Sequence, residues 1–224
     1  MLSPDEILRS YIPMVNFIAD IYGKNCEVIL HDLRKLDHSI IAIRNNHITE
    51  RKVNDTVTDF ALKIVRNKDL YENNDYVTNY MGKTSDGKKI LRASTFFIKD
   101  KDGNLIGMLC VNVDITFIHQ MRDFISDLLM DKSDRNYDDK NMNEHQENFS
   151  ENIKDLVSMS IANTLAEYDI EPNRMLMDEK KQIVANLESR GVFLLKGAVS
   201  EVANQLGVSE QTIYRYLKEL ELAK

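Results

Sequence analysis

Near its end the chain reads VSEVANQLGVSEQTIYRYLKEL, from Val199 to Leu220. The first part of this segment places apolar side chains on one stripe at helical spacing. Gly207 follows, at a position where helices commonly end in a left-handed residue. Ser209 then occupies an N-cap position, and Ile213 and Tyr216 belong to a second apolar stripe. The segment therefore predicts two short helices joined by a glycine-containing turn, a helix-turn-helix motif.

The second helix of such a motif enters the major groove of DNA. If Ile213 points inward, a rotation of about 100° per residue leaves polar residues on the outer side. There Gln pairs with adenine and Arg with guanine, while hydroxyl groups and Lys contact phosphates. The predicted DNA contacts are Lys196, Ser209, Gln211, Thr212, Tyr214, Arg215 and Lys218. The alternatives are a solvated surface charge for Lys218, a plain helix cap for Ser209, and an ordinary helical hairpin for the whole segment.

The net charge of the chain, −7 over 224 residues, is unusual for a protein that binds DNA. From Arg174 to Lys224, however, eight basic and seven acidic residues leave +1. Neutralised phosphates supply much of the affinity for DNA, so one copy with few cations should bind weakly. We therefore expect a homodimer on double-stranded operator DNA. Three helices are candidates for the contact between the two copies: the N-terminal helix, the helix at 116–130, and the helix at 151–168.

Composition excludes several other classes of protein. No window approaches the roughly 18 apolar residues of a membrane span, and the N-terminus lacks the pattern of a signal peptide. Cys26 and Cys110 lie in apolar runs and are predicted to be buried and reduced. The histidines show no metal-ligand spacing, and phosphate-loop, dinucleotide and nucleophile-elbow motifs are missing. We expect no enzyme activity, no metal and no cofactor.

The first half of the chain alternates between helical and strand patterns. The predicted elements are a helix at 3–22 that Pro13 bends or splits, strands at Cys26–Leu30 and Ser39–Arg44, a helix at Thr56–Val65, and strands at 76–84, 88–98 and 104–114. Asp86-Gly87 and Asp102-Gly103 separate the last three strands, as expected for hairpin turns. Five antiparallel strands, with helices between the second and third, form the layout of a PAS sensor domain. The predicted class is thus α+β, with a small all-α helix-turn-helix domain at the end.

Three regions follow from these patterns. Residues 1–130 form the PAS-like sensor domain, and residues 151–224 form a helical connector and the helix-turn-helix domain. Between them, DKSDRNYDDKNMNEHQENFS at 131–150 is rich in Asp and Asn and predicts a polar linker. A polar extension of the preceding helix is the alternative for this segment.

Three segments together resemble a known family: EVILHDL at 27–33, KTSDGKKILRASTFFIKDKDGNLIGMLCVNVDI at 83–115, and FLLKGAVSEVANQLGVSEQTIYRYLKEL at 193–220. They are similar to the YheO-like regulators, which join a PAS domain to a helix-turn-helix and include the D-arginine utilisation regulator. The resemblance covers nearly all of the chain except 131–150. It implies a cytoplasmic bacterial regulator with an N-terminal sensor and a C-terminal DNA-binding domain.

Ligand pockets place a few polar groups on an apolar lining. The candidates in the sensor domain are His31, Arg92, Ser94, Asn112 and Asp114. In this hypothesis Asp114 binds an amine and Arg92 a carboxylate of a small polar metabolite such as an amino acid. Alternatively, His31 is a structural histidine, and Asn112 and Asp114 serve a strand end and a helix cap. A second function also remains open, in which the PAS domain binds a protein partner or dimerises without a ligand.

Overall fold

The first half of the chain is built on an antiparallel sheet with helices on both faces. The structure, a computed structural model, describes residues 2–129, 146–149, 153–166 and 174–222. The elements of this half are α1 (Pro4–Ser10), α2 (Ile12–Tyr22), β1 (Cys26–Asp32), β2 (Ile40–Arg44), α3 (Asp59–Arg66), α4 (Asp69–Glu72), β3 (Tyr76–Thr84), β4 (Ile90–Lys99), β5 (Leu105–Asp114) and α5 (Thr116–Leu128). The strand order β2-β1-β5-β4-β3 confirms the predicted five-stranded antiparallel sheet.

The predicted turns between the last three antiparallel strands are present. Gly87 and Gly103 adopt left-handed φ values of 68° and 81°, which glycine tolerates because it has no Cβ. The predicted split of the first helix is also confirmed, since α1 ends at Ser10 and α2 begins at Ile12. Pro13 then lies in the first turn of α2, where its missing N–H costs no helical hydrogen bond.

A sixth strand, β6 (Gln146–Phe149), pairs in parallel with β3. It lies in the segment predicted to be a polar linker, so that prediction is wrong for these four residues. Because the edge of β3 offers unpaired backbone groups, pairing there outweighs the low strand propensity of the sequence. The remainder of the predicted linker, 131–145 and residue 150, lies outside the described residues.

Alternation along the strands gives the sheet two different faces. The outer face, which includes Val28, Leu30 and Leu109, packs against Leu8 and Val15 of α1 and α2. The inner face packs against α3 and carries the apolar residues Ile29, Ala93, Phe97 and Met108. Cys26 and Cys110 are buried free thiols, as predicted. Burial, with a smaller effect from the charge of Glu27, raises the pKa of Cys26 to about 11.

The second half of the chain is helical. Its elements are α6 (Ile153–Ala166), α7 (Met177–Ser189), α8 (Ala198–Leu206) and α9 (Glu210–Leu222). Ile183, Leu187, Val202, Leu206 and Ile213 are fully buried and form the centre of its core. No helix among the described residues is long and apolar enough to cross a membrane.

The two halves touch where the end of α3 meets the end of α7. Arg66 forms an ion pair with Glu188, and both side chains are partly buried. A Cβ on Gly191 would lie 2.9 Å from the backbone oxygen of Leu62, so the chains approach closely at this point. The helix that covers the inner face of the sheet is therefore in direct contact with the helical half.

Candidate DNA interface and buried polar cluster

The turn between α8 and α9 has the geometry that the sequence predicts. Gly207 lies in the left-handed region, with φ 63° and ψ 40°, and ends α8. The N–H of Val208 donates to the backbone oxygen of Ala203 over 3.0 Å, which closes the last turn. Ser209 caps α9, since its hydroxyl oxygen accepts from the N–H of Thr212 over 3.2 Å. Ser209 is thus the N-cap of α9, and it is also an exposed residue.

Helix α9 buries one side and exposes the other. Ile213 and Tyr216 are buried against the core of the helical half. The exposed side carries four of the predicted contact residues: Gln211, Tyr214, Arg215 and Lys218. These four lie within about 100° of one another around the helix axis, so the structure brings them together. The major groove of B-DNA is wide enough to admit an α-helix, which suits a helix with a polar side of this kind.

The other predicted contact residues flank this surface. Thr212 is half-buried at the first turn of α9, and its hydroxyl lies 3.0 Å from that of Ser209. Lys196 is exposed and precedes Gly197, the N-cap residue of α8, which has φ 85°. Lys196 therefore lies at the entrance to the motif, apart from the outer side of α9.

Two further cations of the helical half have partners inside it. Lys180 donates to the backbone oxygen of Leu206 over 2.8 Å. Lys181 pairs with Glu219 of α9 over 2.5 Å, and this hydrogen bond lowers the pKa of Glu219. The guanidinium of Arg215 lies 5.5 Å from the centroid of the Tyr216 ring, a cation–π contact, and Arg215 is still an exposed residue. Arg215 and Lys218 are thus the exposed cations at the centre of the polar surface of α9.

The five predicted ligand residues of the PAS domain do not come together. Arg92 pairs with Val113 and Ser94 with Val111, so both lie on the outer face of the sheet. Asn112 pairs with Glu27 on one side and with Ala93 on the other, so it lies on the inner face. The prediction of one pocket shared by Arg92 and Asn112 is therefore wrong. Each strand was interpreted correctly by itself, but the pairing register places their polar faces on opposite sides of the sheet.

His31 and Asp114 have local structural contacts. The Nδ1 atom of buried His31 lies 2.9 Å from the hydroxyl of Ser39. Burial, assisted by the charge of Arg51, holds the pKa of His31 well below its usual value, so the imidazole is neutral. Asp114 accepts from the backbone N–H of Thr116 over 3.0 Å and from its hydroxyl over 2.6 Å. These contacts favour the structural and capping alternatives for the two residues.

Asn112 belongs instead to a buried polar cluster on the inner face. Its Nδ2 donates to Glu27 Oε1 over 3.1 Å, while Thr49 donates to Glu27 Oε2 from its hydroxyl over 2.7 Å and from its backbone N–H over 3.3 Å. Arg51, also fully buried, donates to the backbone oxygen of Thr56. Asn112 Oδ1 is buried and has no hydrogen-bond partner among the described residues. We call Glu27, Thr49, Arg51 and Asn112 the buried polar cluster.

The electrostatics of this cluster are dominated by burial. Burial raises the pKa of Glu27, and its hydrogen bonds with Thr49 and Asn112 and the charge of Arg51 oppose the rise only in part. Sequence patterns missed Glu27, Thr49 and Arg51. The available signal was a charged residue at an inward position of the apolar run CEVIL, because Glu27, Ile29 and His31 share one face.

A cavity of about 190 Å³ opens beside the inner face, between α3, α4 and the strands β3 and β4. It is lined by Phe60, Ile64, Leu70, Asn74, Tyr76, Val77 and Phe97. Tyr80, whose ring lies 4.4 Å from that of Phe60, places its hydroxyl 2.7 Å from that of Thr95. The cavity is smaller than the ~300–1,000 Å³ of typical pockets for drug-sized ligands, so only a small molecule would fit. Among the described residues, no group of His, Cys, Asp or Glu could hold a metal.

This sheet with its helices, followed by this helix pair, defines a PAS domain joined to a helix-turn-helix DNA-binding domain. Two family profiles match: the YheO-like PAS domain over residues 3–130, and a helix-turn-helix domain over residues 156–218. The chain belongs to the YheO-like PAS family, and it has the domain composition of a DNA-binding transcriptional regulator.

Relatives match along almost the whole chain. The protein YheO of Escherichia coli K12 is 29% identical over 216 residues, which cover 96% of this chain and 85% of YheO. The transcriptional regulator DauR of Pseudomonas aeruginosa is 28% identical over 218 residues, 97% of this chain and 96% of DauR. Among solved structures, the VqmA–ligand–DNA complex of Vibrio cholera aligns at 12% identity over 90% of this chain and 85% of that chain. Its TM-score of 0.32 is too low to support an argument about function.

Proposed function

We propose that this protein is a sequence-specific transcriptional regulator that acts in the cytoplasm and binds operator DNA as a homodimer. The observation that carries the proposal is the polar surface of α9, where Gln211, Arg215 and Lys218 are exposed behind a capped turn. The similarity to a named transcriptional regulator along almost its full length supports it. The near neutrality of the helical half supports the two-copy form, because one copy neutralises few phosphates.

In this proposal Arg215 binds a guanine and Gln211 an adenine in the major groove. Ser209, Thr212, Tyr214, Lys218 and Lys196 contact the phosphate backbone and fix the register. We expect Arg215→Ala to weaken operator binding by about 1–3 kcal/mol per half-site. A gel-shift titration at physiological salt, using DNA selected by the wild-type protein, measures this loss. Arg174→Ala is the matched control, since it removes an exposed arginine of the same half outside α9.

Unchanged affinity of a folded Arg215→Ala variant would contradict this role for α9. An equal loss in Arg174→Ala would mean that arginines contribute only general charge. A loss confined to Arg215→Ala, together with a relaxed preference at one base of each half-site, would support base recognition.

We further propose that the PAS domain responds to a small polar metabolite with a hydrogen-bond donor, such as an amino acid with its ammonium group. Support comes from Asn112 Oδ1, a buried acceptor without a partner among the described residues, next to the carboxyl group of Glu27. Leaving such an acceptor unsatisfied costs about 1–3 kcal/mol, which a donor from a ligand would recover.

A thermal-shift screen with amino acids and related amines tests this proposal. A ligand at 100 times its Kd stabilises the folded state by about 2.7 kcal/mol, which raises the Tm measurably. The Asn112→Ala variant should lose the shift, while Asn204→Ala, which changes an exposed asparagine of α8, should keep it. An equal shift in both variants would contradict a site at the inner face.

The second candidate function is a PAS domain that binds protein without a ligand. The observation that favours it is the exposure of large apolar side chains on α5, such as Phe117, Phe124 and Leu128. This alternative would be supported if no compound in the thermal-shift screen raised the Tm and the protein formed a defined complex with another protein. It concerns a different surface from the buried polar cluster, so the two candidates are separable.

A further inference from the structure

Helix α5 turns its polar side toward the rest of the chain and its apolar side outward. Ser126 is buried, and Thr116, His119 and Arg122 are partly covered. The exposed side carries six large apolar residues, 48–69% exposed: Phe117, Ile118, Met121, Phe124, Ile125 and Leu128. A helix that covered its own sheet would show the reverse arrangement. The apolar face of α5 therefore has no partner among the described residues.

The helix is fastened to the PAS domain at its beginning. The N–H of Ile115 donates to the backbone oxygen of Ile90 over 2.9 Å. In return, the N–H of Ile90 donates to the hydroxyl of Thr116 over 2.9 Å. These two contacts fix the point and direction in which α5 leaves β5, so its exposed side has a defined orientation.

The exposed residues follow the spacing of a coiled coil. Phe117, Met121, Phe124 and Leu128 are separated by four, three and four residues, which is the spacing of a and d positions in a heptad. On the same heptad, His119 and Ser126 occupy the f position, opposite the a/d line. Since Ser126 is buried and His119 is partly covered, the a/d line points away from the chain. We call Phe117, Met121, Phe124 and Leu128 the α5 seam.

We propose that the α5 seam pairs with the α5 seam of a second copy of this chain, in a parallel, two-fold symmetric contact. The seam suits its own copy because its four residues are apolar and no charge is buried when they meet. At roughly 150–250 Å² for a fully exposed large side chain, the six residues offer on the order of 500–900 Å² per copy. A standard interface needs about 800 Å² per partner, and the largest patch of a typical monomer is about 300–600 Å².

The parallel arrangement brings the carboxyl ends of both α5 helices to the same end of the dimer. Both helical halves then follow from that end, and two α9 surfaces can face one DNA duplex. Only this orientation rests on the proposed function, since it assumes that two copies bind one site. The pairing itself rests on the exposure and spacing of the seam.

The experiment measures the mass of the full-length protein in solution, without DNA, by light scattering after gel filtration. We expect the wild type to have the mass of two chains, and Phe124→Lys to have that of one chain, 25.9 kDa. Phe124 is 64% exposed, so a lysine there leaves the fold intact, as circular dichroism would verify. Phe124→Glu should behave in the same way. An equimolar mixture of the two variants should regain the dimer, because Lys and Glu then meet at one layer of the seam.

The matched control is Phe17→Lys, which changes an exposed phenylalanine of α2, 59% exposed, and should leave the dimer intact. Three results would overturn the proposal: a dimeric Phe124→Lys variant, a dimer lost in Phe17→Lys, or a mixture that stays monomeric. A wild type that is monomeric would overturn it as well.

Failure here is distinguishable from failure of the proposed function. A dimeric Phe124→Lys variant, with specific DNA binding that depends on Arg215, would refute the seam and leave the regulator standing. A dimer that depends on Phe124, without any specific DNA binding, would refute the regulator and leave the seam standing.

Discussion

The two halves of this molecule place their polar side chains in opposite ways. In the PAS half, ionisable residues are fully buried, such as Glu27 on the inner face of the sheet and Arg51 in the loop after β2. In the described part of the helical half, the buried polar residues are hydroxyls, Ser160 and Thr164, and the charges of α9 lie at the surface. The first arrangement is costly for folding, and the second costs almost nothing.

The difference indicates what each half is built to do. Well-packed apolar residues are often at least as stable as a buried ionic group, so stability alone does not explain the buried polar cluster. A polar surface on a rigid helix suits a partner that brings its own charge, such as DNA. The inner face of the sheet therefore suits the ligand site that we propose, and the outer side of α9 suits the DNA contact that we propose.

Among the variants that test this difference between the halves, Glu27→Ala should change the free energy of unfolding most. The variant leaves Thr49, Asn112 and the nearby charge of Arg51 without the carboxylate, and should lower the free energy of unfolding by about 3 kcal/mol. Urea denaturation followed by circular dichroism measures the loss. The matched control is Glu72→Ala, whose exposed pair with Lys68 should be worth less than about 0.5 kcal/mol. Similar losses in both variants would mean that the buried polar cluster contributes no more to the free energy of unfolding than an exposed ion pair.

The pH dependence of stability should identify Glu27 more directly. Because burial raises its pKa, the folded protein keeps this proton to a higher pH than the unfolded chain, whose value is near 4.5. The stability from this group is therefore complete below pH 4.5 and is lost as the pH rises through the folded pKa. Glu27→Gln stays neutral and should lack this decline. Urea denaturation of the wild type and of Glu27→Gln over a range of pH measures the decline. Since His31 contributes to both proteins alike, the difference between their free energies of unfolding isolates Glu27. An identical pH dependence in the two proteins would contradict this role of Glu27.

A moderate effect is expected from the cap of α9. Ser209→Ala removes the acceptor for the N–H of Thr212 and should cost about 1 kcal/mol of stability. Ser200→Ala, an exposed serine within α8, is the control and should change stability by less than about 0.5 kcal/mol. Denaturant midpoints of the two variants provide the measurement. A loss in Ser200→Ala as large as that in Ser209→Ala would remove the cap as the explanation.

The smallest effect is expected where the halves meet. Arg66→Ala breaks the ion pair with Glu188 and should cost about 0.2–1 kcal/mol, because both side chains are partly exposed. It should also separate the unfolding transitions of the two halves in differential scanning calorimetry. Arg44→Ala, which breaks an exposed pair with Asp20 inside the PAS half, should leave the transitions coupled. Equal separation in both variants would show that this contact does not join the halves.

Much of the fold could be predicted from local chemistry. Asp86-Gly87 and Asp102-Gly103 predicted the turns of the sheet, and Gly207 and Ser209 predicted the limits of the helix pair, because each depends on only a few neighbouring residues. The outward position of Arg215 followed in the same way, from helical spacing relative to one inward residue. Such local rules do not require knowledge of the tertiary structure.

The interior of the PAS half could not be predicted because it depends on the register between strands. Arg92 and Asn112 each lie on a correctly predicted strand, and only their pairing shows that they point to opposite faces. The buried polar cluster also needs two residues of the loop between β2 and α3: Thr49, which donates to Glu27, and Arg51, whose charge acts on Glu27. The exposure of the α5 seam also could not be predicted from the sequence, because an apolar stripe of this kind could equally have packed against the sheet.

The most direct test of the whole account is the selection of DNA from a random double-stranded library by the full-length protein. A dimeric regulator that reads DNA through α9 should enrich a two-fold symmetric sequence, with half-site centres about 10–10.5 base pairs, or a multiple of this, apart. The Arg215→Ala variant should enrich a sequence with a weakened base preference in each half-site. Recovery of unrelated sequences, or of a single half-site without symmetry, would contradict the account.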